Sequence, residues 1–259
     1  MRQARLGLTE PGRELVGIVN RILLDANNIT NLANQYSGRN EGRLTLVATH
    51  TQARYALPRV VKDFKQAFPK VHLKLHQASP NEIVSMLLDG QADIGVATEA
   101  LSDVTGLDIF PFYSWHHAVI VPAGHPLESI HPISLEAVAD YSIVTYHDGL
   151  TGRAGIDQSF AAAGLEPDIV MSALDADVIK TYVELGLGIG IIASMAFNPS
   201  KDTGLRLLDS SHLFGKNTTY IALRHGHYLR NFAYRFIELC SPALDEAVIR
   251  AGVAPLQAE

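Results

Sequence analysis

The sequence predicts an α/β protein, and three observations support that class. Beyond residue 42, short apolar runs typical of strands alternate with amphipathic runs typical of helices almost to the C-terminus. This βαβ rhythm implies mainly parallel sheets covered by helices. A long helical stretch with regularly spaced apolar residues precedes the alternation. With 259 residues, 47% of them hydrophobic and 19% charged, the chain is typical of a globular protein that buries a full core in one or two domains.

The first predicted element is a long helix over residues 9–38. Thr9 is a suitable N-cap, and Pro11 lies in the first turn, where its missing N–H costs nothing. Apolar or small residues then recur with 4-3 spacing, namely Leu15, Val19, Ile22, Ala26, Ile29, Ala33 and Tyr36. This spacing predicts a coiled-coil seam for a partner helix, and packing on the helix's own domain is the alternative. The polar, glycine-bearing residues 37–42 are typical of a linker.

The alternating elements that follow can be assigned in order. The predicted strands are Leu44–Ala48, Val71–His76, Asp93–Ala97, Leu107–Phe112, His116–Val121, Ser142–Thr145, Ile169–Ser172, Ile189–Ala193 and Thr218–Leu223. The predicted helices are Gln52–Phe68, Asn81–Leu88, Leu135–Asp140, Gly152–Ala163, Asp175–Leu185 and two terminal helices split by Pro242. Pro58 either kinks or restarts the first of these helices, because proline lacks the N–H that a helix interior uses. Residues 113–115 are predicted to connect two strands.

Composition and charge exclude several classes of protein. The net charge of −6 argues against binding of a nucleic-acid backbone by this chain alone, because such binding needs a basic patch. The single cysteine, Cys240, favours a buried thiol in a reduced, cytoplasmic protein. No apolar run approaches the roughly 20 residues that span a membrane. The basic N-terminus lacks the apolar stretch of a signal peptide. We therefore expect a cytoplasmic protein with no membrane partner.

No motif predicts an enzyme, a cofactor or a metal site. The run Gly186–Ile191 lacks the final glycine of a dinucleotide-binding loop and precedes a strand, so a tight helix-to-strand connection explains it better. His72 and His76 have zinc-ligand spacing for a helix, but on a strand they lie about 13 Å apart. No nucleophile motif and no Ser/His/Asp set can be assembled by spacing. We predict no catalytic residues, no metal ligands and no cofactor.

Three polar junctions are the best candidates for a binding site. Thr49, Thr51 and Gln52 lie between the first predicted strand and the helix that follows it. Thr98 follows a buried strand, and Thr151 precedes the helix at 152–163. Strand ends and helix N-termini offer hydroxyls and unpaired N–H groups to a small anion or a carboxylate-bearing metabolite. The alternative is that these threonines only cap helices or end strands. Three such junctions in one α/β chain favour a shared cleft.

Several segments resemble one family over nearly the whole chain from about residue 8 onward. They are residues 49–58 (THTQARYALP), 97–101 (ATEAL), 125–127 (HPL), 151–153 (TGR) and 175–195, which begins DADVIKTYV. Together they closely resemble the CysB/Cbl branch of the LysR-type transcriptional regulators, which controls cysteine biosynthesis and sulfur assimilation. The motifs are specific to this branch rather than to LysR regulators in general.

The resemblance implies a type II periplasmic-binding-protein-like fold, in which two α/β subdomains are joined by two crossing strands. The crossings should fall near Phe112–Ser114 and Gly215–Thr218. The implied divisions are a linker and dimerisation helix with its connector at 1–42, subdomain I at 43–112 plus 218–250, subdomain II at 113–217 and a C-terminal tail at 251–259. The family's winged helix-turn-helix normally precedes the linker helix, and we expect it to be missing from this chain. Promoter DNA would then bind only through that missing N-terminal domain.

The resemblance also implies a site and its ligands. The family's effector contacts fall on Thr49, Thr51, Gln52, Thr98 and Thr151, with Trp115 and Glu99 as neighbours in the cleft. The implied effectors are sulfate, thiosulfate, N-acetylserine or O-acetylserine. We expect hydroxyls, amides and helix dipoles, rather than ammonium groups, to hold the anion.

The function that follows is effector sensing and oligomerisation, as a homodimer or homotetramer, within a transcription factor. The first alternative is a solute-binding protein for an anion importer, which shares the fold. The missing secretion signal and the coiled-coil seam count against it. The second alternative is an enzyme on the same fold, for which no acid–base or nucleophilic set is found. CysB-type and Cbl-type regulators share these motifs, so both remain open.

Overall fold

The computed structural model describes residues 9–36, 41–98, 101, 104–150 and 152–252, and it confirms the predicted α/β class. Strands β1 to β10 are Gly42–Ala48, Val71–Gln77, Ile94–Ala97, Leu107–Trp115, His117–Pro122, Ile143–Tyr146, Ile169–Ala173, Ile189–Ala193, Leu205–Leu207 and Asn217–Arg224. Helices α1 to α8 are Glu10–Tyr36, Leu57–Ala67, Pro80–Leu88, Leu135–Ala139, Arg153–Ala162, Ala176–Glu184, Asn231–Cys240 and Glu246–Gly252. The shorter turns are π-helical at Gln52–Ala56 and 3-10 helical at Pro126–Ser129 and Ser194–Ala196.

Helix α1 is confirmed, and most of its apolar surface is exposed. The exposed large apolar residues of α1 are Leu15, Val16, Ile18, Val19, Ile22, Leu23, Ile29 and Leu32. Leu24 is buried. Nearby, the Asn28 amide donates to the Gly226 carbonyl at 2.9 Å and accepts from the Tyr228 N–H at 2.8 Å. The helix therefore contacts its own domain through a narrow strip, and the seam predicted for a partner helix stays open.

The two five-stranded sheets are mixed, which corrects the prediction of mainly parallel sheets. The first sheet has the order β2-β1-β3-β10-β4, and the second has the order β7-β6-β8-β5-β9. β1 pairs in parallel with β2 and β3, and β6 does so with β7 and β8. β10 and β5 run antiparallel to their neighbours. The chain leaves the first sheet after β4 and returns to it as β10, so each sheet receives a strand that follows a crossing rather than a βαβ unit.

Strand β4 is longer than predicted, because Tyr113, Ser114 and Trp115 continue it instead of forming a connection. β4 pairs with β10 from Leu107 opposite Arg224 to Trp115 opposite Asn217, with a register shift between Thr219 and Tyr220. The far end of this pair reaches the point where β5 enters the second sheet at His117. β4 therefore ends at Trp115 and β5 begins at His117, and the division into subdomains remains a prediction.

Each sheet carries an apolar core on either face. On one face of the first sheet, the rings of Phe64 in α2 and Phe236 in α7 meet edge to face with centroids 5.4 Å apart. Ile83 of α3 is buried on the other face. In the second sheet, Ile179 of α6 and Phe160 of α5 belong to cores on the two faces. Full burial of such side chains stabilises the fold by roughly 1.5–3 kcal/mol each, so the helices fix the carboxyl ends of the strands in space.

Three smaller differences from the predicted elements have local causes. The predicted helix at 52–68 is π-helical at Gln52–Ala56 and α-helical from Leu57, with Pro58 in the first turn, so the proline restarts the helix. Strand β9 was not predicted, because its three residues are too short to show an alternation. Helix α8 runs two residues into the predicted tail, and residues 253–259 lie outside the described part. In the described part of the chain, no helix is long and apolar enough to cross a membrane.

Candidate ligand-binding site

The carboxyl ends of β1 and β3 meet at one edge of the first sheet, where four of the predicted site residues lie. Thr49 follows β1, and its N–H donates to the Val96 carbonyl of β3 at 3.2 Å. The helical turn begins directly after it, with Thr51 and Gln52 each 1% exposed. Thr98 follows β3. Thr49, Thr51, Gln52 and Thr98 therefore lie together, as expected for residues that follow the carboxyl ends of neighbouring parallel strands.

A chain of hydrogen bonds joins this edge to the crossing strands. Gln52 Nε2 donates to Thr98 Oγ1 at 3.4 Å, and the Tyr113 hydroxyl donates to Gln52 Oε1 at 2.5 Å. Thr98 Oγ1 lies 3.1 Å from Thr219 Oγ1. Trp115 Nε1 donates to the same Thr219 oxygen at 3.1 Å. We call these five residues the polar network; it links the first helical turn and β3 to β4 and β10.

Burial fixes the protonation state of the tyrosine in this network. Desolvation raises the pKa of Tyr113 to about 12, although hydrogen bonds with Thr219 and Gln52 act in the opposite direction. Tyr113 is therefore a neutral O–H donor at physiological pH, and the Gln52 amide is held with its oxygen towards the tyrosine and its nitrogen towards Thr98.

The second sheet approaches the same edge through the start of α5. Gly152 has φ +69°, and a Cβ added there would lie 2.7 Å from Asn217 Oδ1 and 2.8 Å from His117 Cε1. The His117 ring is fully buried, and its Nδ1 lies 3.4 Å from Asn217 Nδ2. Only glycine fits both this backbone conformation and this close approach. Thr151, its predicted neighbour in the site, lies outside the described residues, as does Glu99.

Sequence reasoning missed Tyr113 and Thr219 as parts of the network. Thr219 stands next to Thr218 at the start of β10, and Tyr113 is close to the predicted neighbour Trp115. Their only signal was polar or aromatic character at the implied crossings. Trp115 belongs to the polar network through its bond to Thr219.

A pocket of about 360 Å³ opens at Thr49, between residues of the first sheet's edge and Leu150, Leu174 and Asp175 of the second sheet. We call it the outer pocket; its described lining residues are Thr49, His50, Gln77, Ala78, Ser79, Glu82, Leu150, Leu174 and Asp175. Thr49 belongs to both the strand edge and the pocket. Among these described lining residues, two are acids and none is lysine or arginine. Its size is in the range of pockets that hold small organic molecules.

The carboxylates of the outer pocket are held by local hydrogen bonds. Glu82 Oε2 accepts from the backbone N–H of Ser79 at 2.9 Å and from its hydroxyl at 2.8 Å, which completes a capping box on α3. These bonds lower the pKa of Glu82, so it is charged at neutral pH. Asp175 Oδ1 accepts from the Val178 N–H at 3.0 Å and caps α6.

A cluster of charged and polar groups bridges the two sheets near the same turn. Asp177 of α6 accepts from Arg54 Nε at 3.0 Å and from the Tyr55 hydroxyl at 2.9 Å. Lys180 Nζ lies 3.0 Å from Asp177 and 3.1 Å from Asp202. Burial by itself would raise the pKa of Asp177, but the bonds and charges of Lys180, Tyr55 and Arg54 outweigh it and lower that pKa. The bridge therefore holds a charged carboxylate at neutral pH.

Among the described residues, no group of three or more His, Cys, Asp or Glu side chains is placed to hold a metal ion. The chemistry of the edge is hydrogen-bond donation by hydroxyl, amide and backbone groups next to a helix start. That chemistry suits recognition of an acceptor-rich anion.

Known proteins show the same sequence pattern. The chain matches the family described as LysR substrate binding domain over residues 37–245. The HTH-type transcriptional regulator SsuR of Burkholderia cenocepacia is 53% identical over 243 residues, covering 94% of this chain and 79% of that protein. CysB of the same organism is 50% identical over 246 residues, covering 95% and 79%. The regulator cbl of Escherichia coli is 47% identical over 248 residues, covering 96% and 78%.

Solved structures agree with these relatives. The cofactor-binding domain of the Cbl transcriptional regulator superposes with a TM-score of 0.79 at 48% identity, covering 82% of this chain and 93% of that one. The effector binding domain of QuiR in complex with shikimate has a TM-score of 0.68 at 20% identity, covering 78% and 97%, and it shows the shared fold alone. The chain therefore belongs to the LysR family of transcriptional regulators, as an effector-binding domain of type II periplasmic-binding-protein-like fold that is related to the sulfur regulators SsuR, CysB and Cbl.

Proposed function

We propose that this domain senses a small anionic effector of sulfur metabolism, namely sulfate, thiosulfate, N-acetylserine or O-acetylserine. The proposed contacts are Thr49, Thr51, Gln52, Thr98 and Thr151. The observation that carries the proposal is the polar network, because it connects two of these residues to both crossing strands. A ligand held at this edge touches groups whose positions depend on how the two sheets are oriented.

The proton arrangement of the network supports an anion as the ligand. Trp115 can only donate, so it uses one lone pair of Thr219. Thr219 also has a hydrogen bond with Tyr113; in the arrangement where its single proton goes to Thr98 instead, the Thr98 oxygen accepts from both Thr219 and Gln52. The Thr98 proton is then left to donate into the cleft. Such a neutral donor next to the partial positive charge of a helix start stabilises an oxyanion without a buried cation.

Oligomerisation is the second part of the proposed function. The apolar residues exposed along α1 follow the seam spacing of a partner helix, and Ile22 and Ile29 are 61% and 69% exposed. Pairing of two α1 helices would bury them in a homodimer or homotetramer. An effector that binds two orientations of the sheets with different affinity would favour one of them. The change in orientation would then be transmitted through α1.

The proposed setting is the cytoplasm, and the proposed role is regulation rather than catalysis. The named relatives are transcriptional regulators, which supports this role over that of a solute-binding protein for an anion importer. No acid–base pair is proposed, because the polar edge consists of neutral donors.

The experiment is isothermal titration calorimetry of the four ligands on the chain and on a Thr51→Ala variant. We expect at least one ligand to saturate the chain and to bind about tenfold more weakly to the variant, since a lost hydrogen bond to a charged group costs about 1.4 kcal/mol or more. Thr203→Ala, in an exposed loop beside β9, is the control and should bind as the parent does. Failure of all four ligands to bind a folded, oligomeric chain, with the oligomer checked by sedimentation, would refute the effector assignment.

A further inference from the structure

The loop that follows β10 holds α1 against the first sheet. The side chain of Asn28 bonds to the backbone of this loop at two points: its nitrogen donates to the Gly226 carbonyl at 2.9 Å, and its oxygen accepts from the Tyr228 N–H at 2.8 Å. About one helical turn later, Asn31 Nδ2 donates to the Tyr228 carbonyl at 3.3 Å. An amide side chain has both a donor and an acceptor, which is what a backbone carbonyl and N–H in one loop require. We call Asn28, Asn31 and the loop residues 225–228 the α1 clamp.

The α1 clamp holds the helix by the face opposite to the seam predicted for a partner helix. Successive residues of an α-helix are turned by about 100°, so Leu24, Asn28 and Asn31 lie on one face. Leu24 is buried, at 7% exposure. On the same count, Ile22 and Ile29 lie roughly half a turn away from that face, and both are exposed. The clamp therefore binds α1 to its own domain and leaves the seam open to a second copy of the chain.

The loop of the α1 clamp is itself fixed to the first sheet on both sides of β10. His225 Nδ1 lies 3.0 Å from Asp108 Oδ1 of β4. His227 Nε2 lies 3.4 Å from Oδ1 of Asp93, which directly precedes β3. Asp93 Oδ2 in turn accepts from the Thr45 N–H of β1 at 2.7 Å. Since β3 and β4 are the two neighbours of β10, these contacts hold the loop to the strands around it.

Strand β10 connects the α1 clamp to the polar network. Thr219 of the network lies near the start of β10, and the loop of the clamp follows its end at Arg224. At about 3.3 Å per residue, the strand separates the two by roughly 20 Å. β10 pairs with β3 on one side and with β4 on the other. The polar network and the clamp are therefore opposite ends of one strand that is held along its length.

We propose that the α1 clamp makes α1 one rigid body with the first sheet, so that a rotation of the second sheet against the first also changes the angle between the second sheet and α1. Paired α1 helices then receive the rotation at a fixed angle. This inference rests on the proposed function for the source of the rotation, and it adds the residues that pass the rotation to the oligomer. Asn28 and Asn31 are positioning residues, and their loss leaves α1 free to tilt against the sheet.

Distances between pairs of spin labels, measured by pulsed electron paramagnetic resonance, test the rigid body directly. Labels at Glu14→Cys and Gln66→Cys join α1 to α2, which packs on the first sheet. Labels at Glu14→Cys and Glu166→Cys join α1 to the segment between α5 and β7 of the second sheet. All three labelled positions are exposed. Cys240→Ala is present in every chain, and labelled chains are diluted with unlabelled ones so that only distances within one chain are read.

Sulfate is the probe, and calorimetry measures its binding. In the parent chain, the distance between positions 14 and 66 should be narrowly distributed and should stay the same when sulfate saturates the chain. The distance between positions 14 and 166 should shift. In the variant Asn28→Ala with Asn31→Ala, both distributions should broaden about twofold, because α1 loses its hold on the sheet. Sulfate affinity should stay within about twofold of the parent value, because the clamp lies far from the strand edge.

The matched control is Asp25→Ala with Thr30→Ala. It truncates two exposed polar side chains in the same turns of α1, and the Thr30 hydroxyl bonds only to the Ala26 carbonyl of its own helix among the described residues. Both distance distributions should then match those of the parent. Alanine is a better helix former than asparagine, so α1 itself persists in the clamp variant.

Two results would overturn the inference. The first is a distance between positions 14 and 66 that stays narrowly distributed in the clamp variant, since other contacts would then hold α1. The second is a distance between positions 14 and 66 that shifts with sulfate in the parent as much as the distance between positions 14 and 166. Failure of sulfate to bind the parent chain would count against the proposed function instead, and the width of the distribution between positions 14 and 66 without ligand would still decide whether the clamp holds α1.

Discussion

Replacing Thr219 by valine tests the polar network at its most buried point. Valine keeps the shape of threonine but removes the oxygen that accepts from Trp115 Nε1 at 3.1 Å and lies 3.1 Å from Thr98 Oγ1. Thr219 is 0% exposed and Trp115 is 5% exposed, so water does not replace the lost acceptor. A buried donor left without a partner costs about 1–3 kcal/mol. For a domain of this size, that cost corresponds to a fall in Tm of about 2–12 °C.

Thermal and urea unfolding measure this loss, and one neighbouring residue provides the control. Thr218 lies on the same strand, and its hydroxyl is 3.3 Å from Ser114 Oγ in an exposed position. Thr218→Val should change the free energy of unfolding by no more than about 0.5 kcal/mol. If the two variants lose the same free energy of unfolding, the Thr219 hydroxyl does not stabilise the fold by accepting from the Trp115 indole, and the prediction is wrong.

A double-mutant cycle separates the orphaned donor from general repacking. Trp115→Phe removes the indole N–H, so Thr219→Val should cost less free energy of unfolding in that background than in the parent. Trp115 is also the single tryptophan of the chain, so its fluorescence emission reports directly on the network. We expect Thr219→Val to shift this emission and to weaken sulfate binding, because Thr98 loses the neighbour that orients its proton.

Two further predictions concern the second side of the cleft. Gly152→Ala should destabilise the fold by about 1–3 kcal/mol through backbone strain at φ +69° alone. The total loss should be larger, because the new Cβ would also lie 2.7 Å from Asn217 Oδ1. Gly149→Ala, at φ +75° with nothing within 4 Å, should show the strain alone, so equal losses in urea unfolding would contradict the close approach. The lowered pKa of Asp177 means that its pairing stabilises the fold above the ordinary carboxyl pKa of 3.8 and that this contribution is lost as the pH falls through the lowered pKa. Asp177→Asn should therefore lower the free energy of unfolding at pH 7 by up to about 1 kcal/mol, since the pairs are partly exposed. It should also make stability less dependent on pH in the acid range. Asp63→Asn on α2 is the control, and an unchanged pH dependence in Asp177→Asn would contradict the role of Asp177.

Local chemistry was enough to single out part of the candidate site, whose role in ligand binding remains a prediction. Thr49, Thr51 and Gln52 were singled out because a strand end followed by a helix start is visible in a dozen consecutive residues. Thr98 followed from the same rule applied to the next buried strand. What these residues share is that each stands at a strand end or a helix start, which the sequence around it predicts.

The remainder depends on pairing between distant segments. Thr219 becomes part of the network because β10 returns beside β4 and places it opposite Tyr113, and its bond to Trp115 joins residues 104 positions apart. No periodicity in either segment predicts that Thr219 pairs with Tyr113. The same non-local path made the sheets mixed where the βαβ rhythm predicted mainly parallel ones, because the rhythm describes consecutive units and not strands that cross between sheets.

The energies at the cleft are of the right size for a switch. Moving a two-state equilibrium from 1:99 to 99:1 requires a ligand that prefers one state by about 5.5 kcal/mol. Three or four hydrogen bonds to a charged ligand, at about 1.5–3 kcal/mol each, reach that value if they form in only one orientation of the sheets. The competing bridge from Arg54 to Asp177 is partly exposed, with side chains 56% and 40% accessible, and such pairs contribute about 1 kcal/mol or less. The bridge therefore biases the orientation of the two sheets only weakly, and under the proposed function a ligand at the polar edge would decide which orientation is populated.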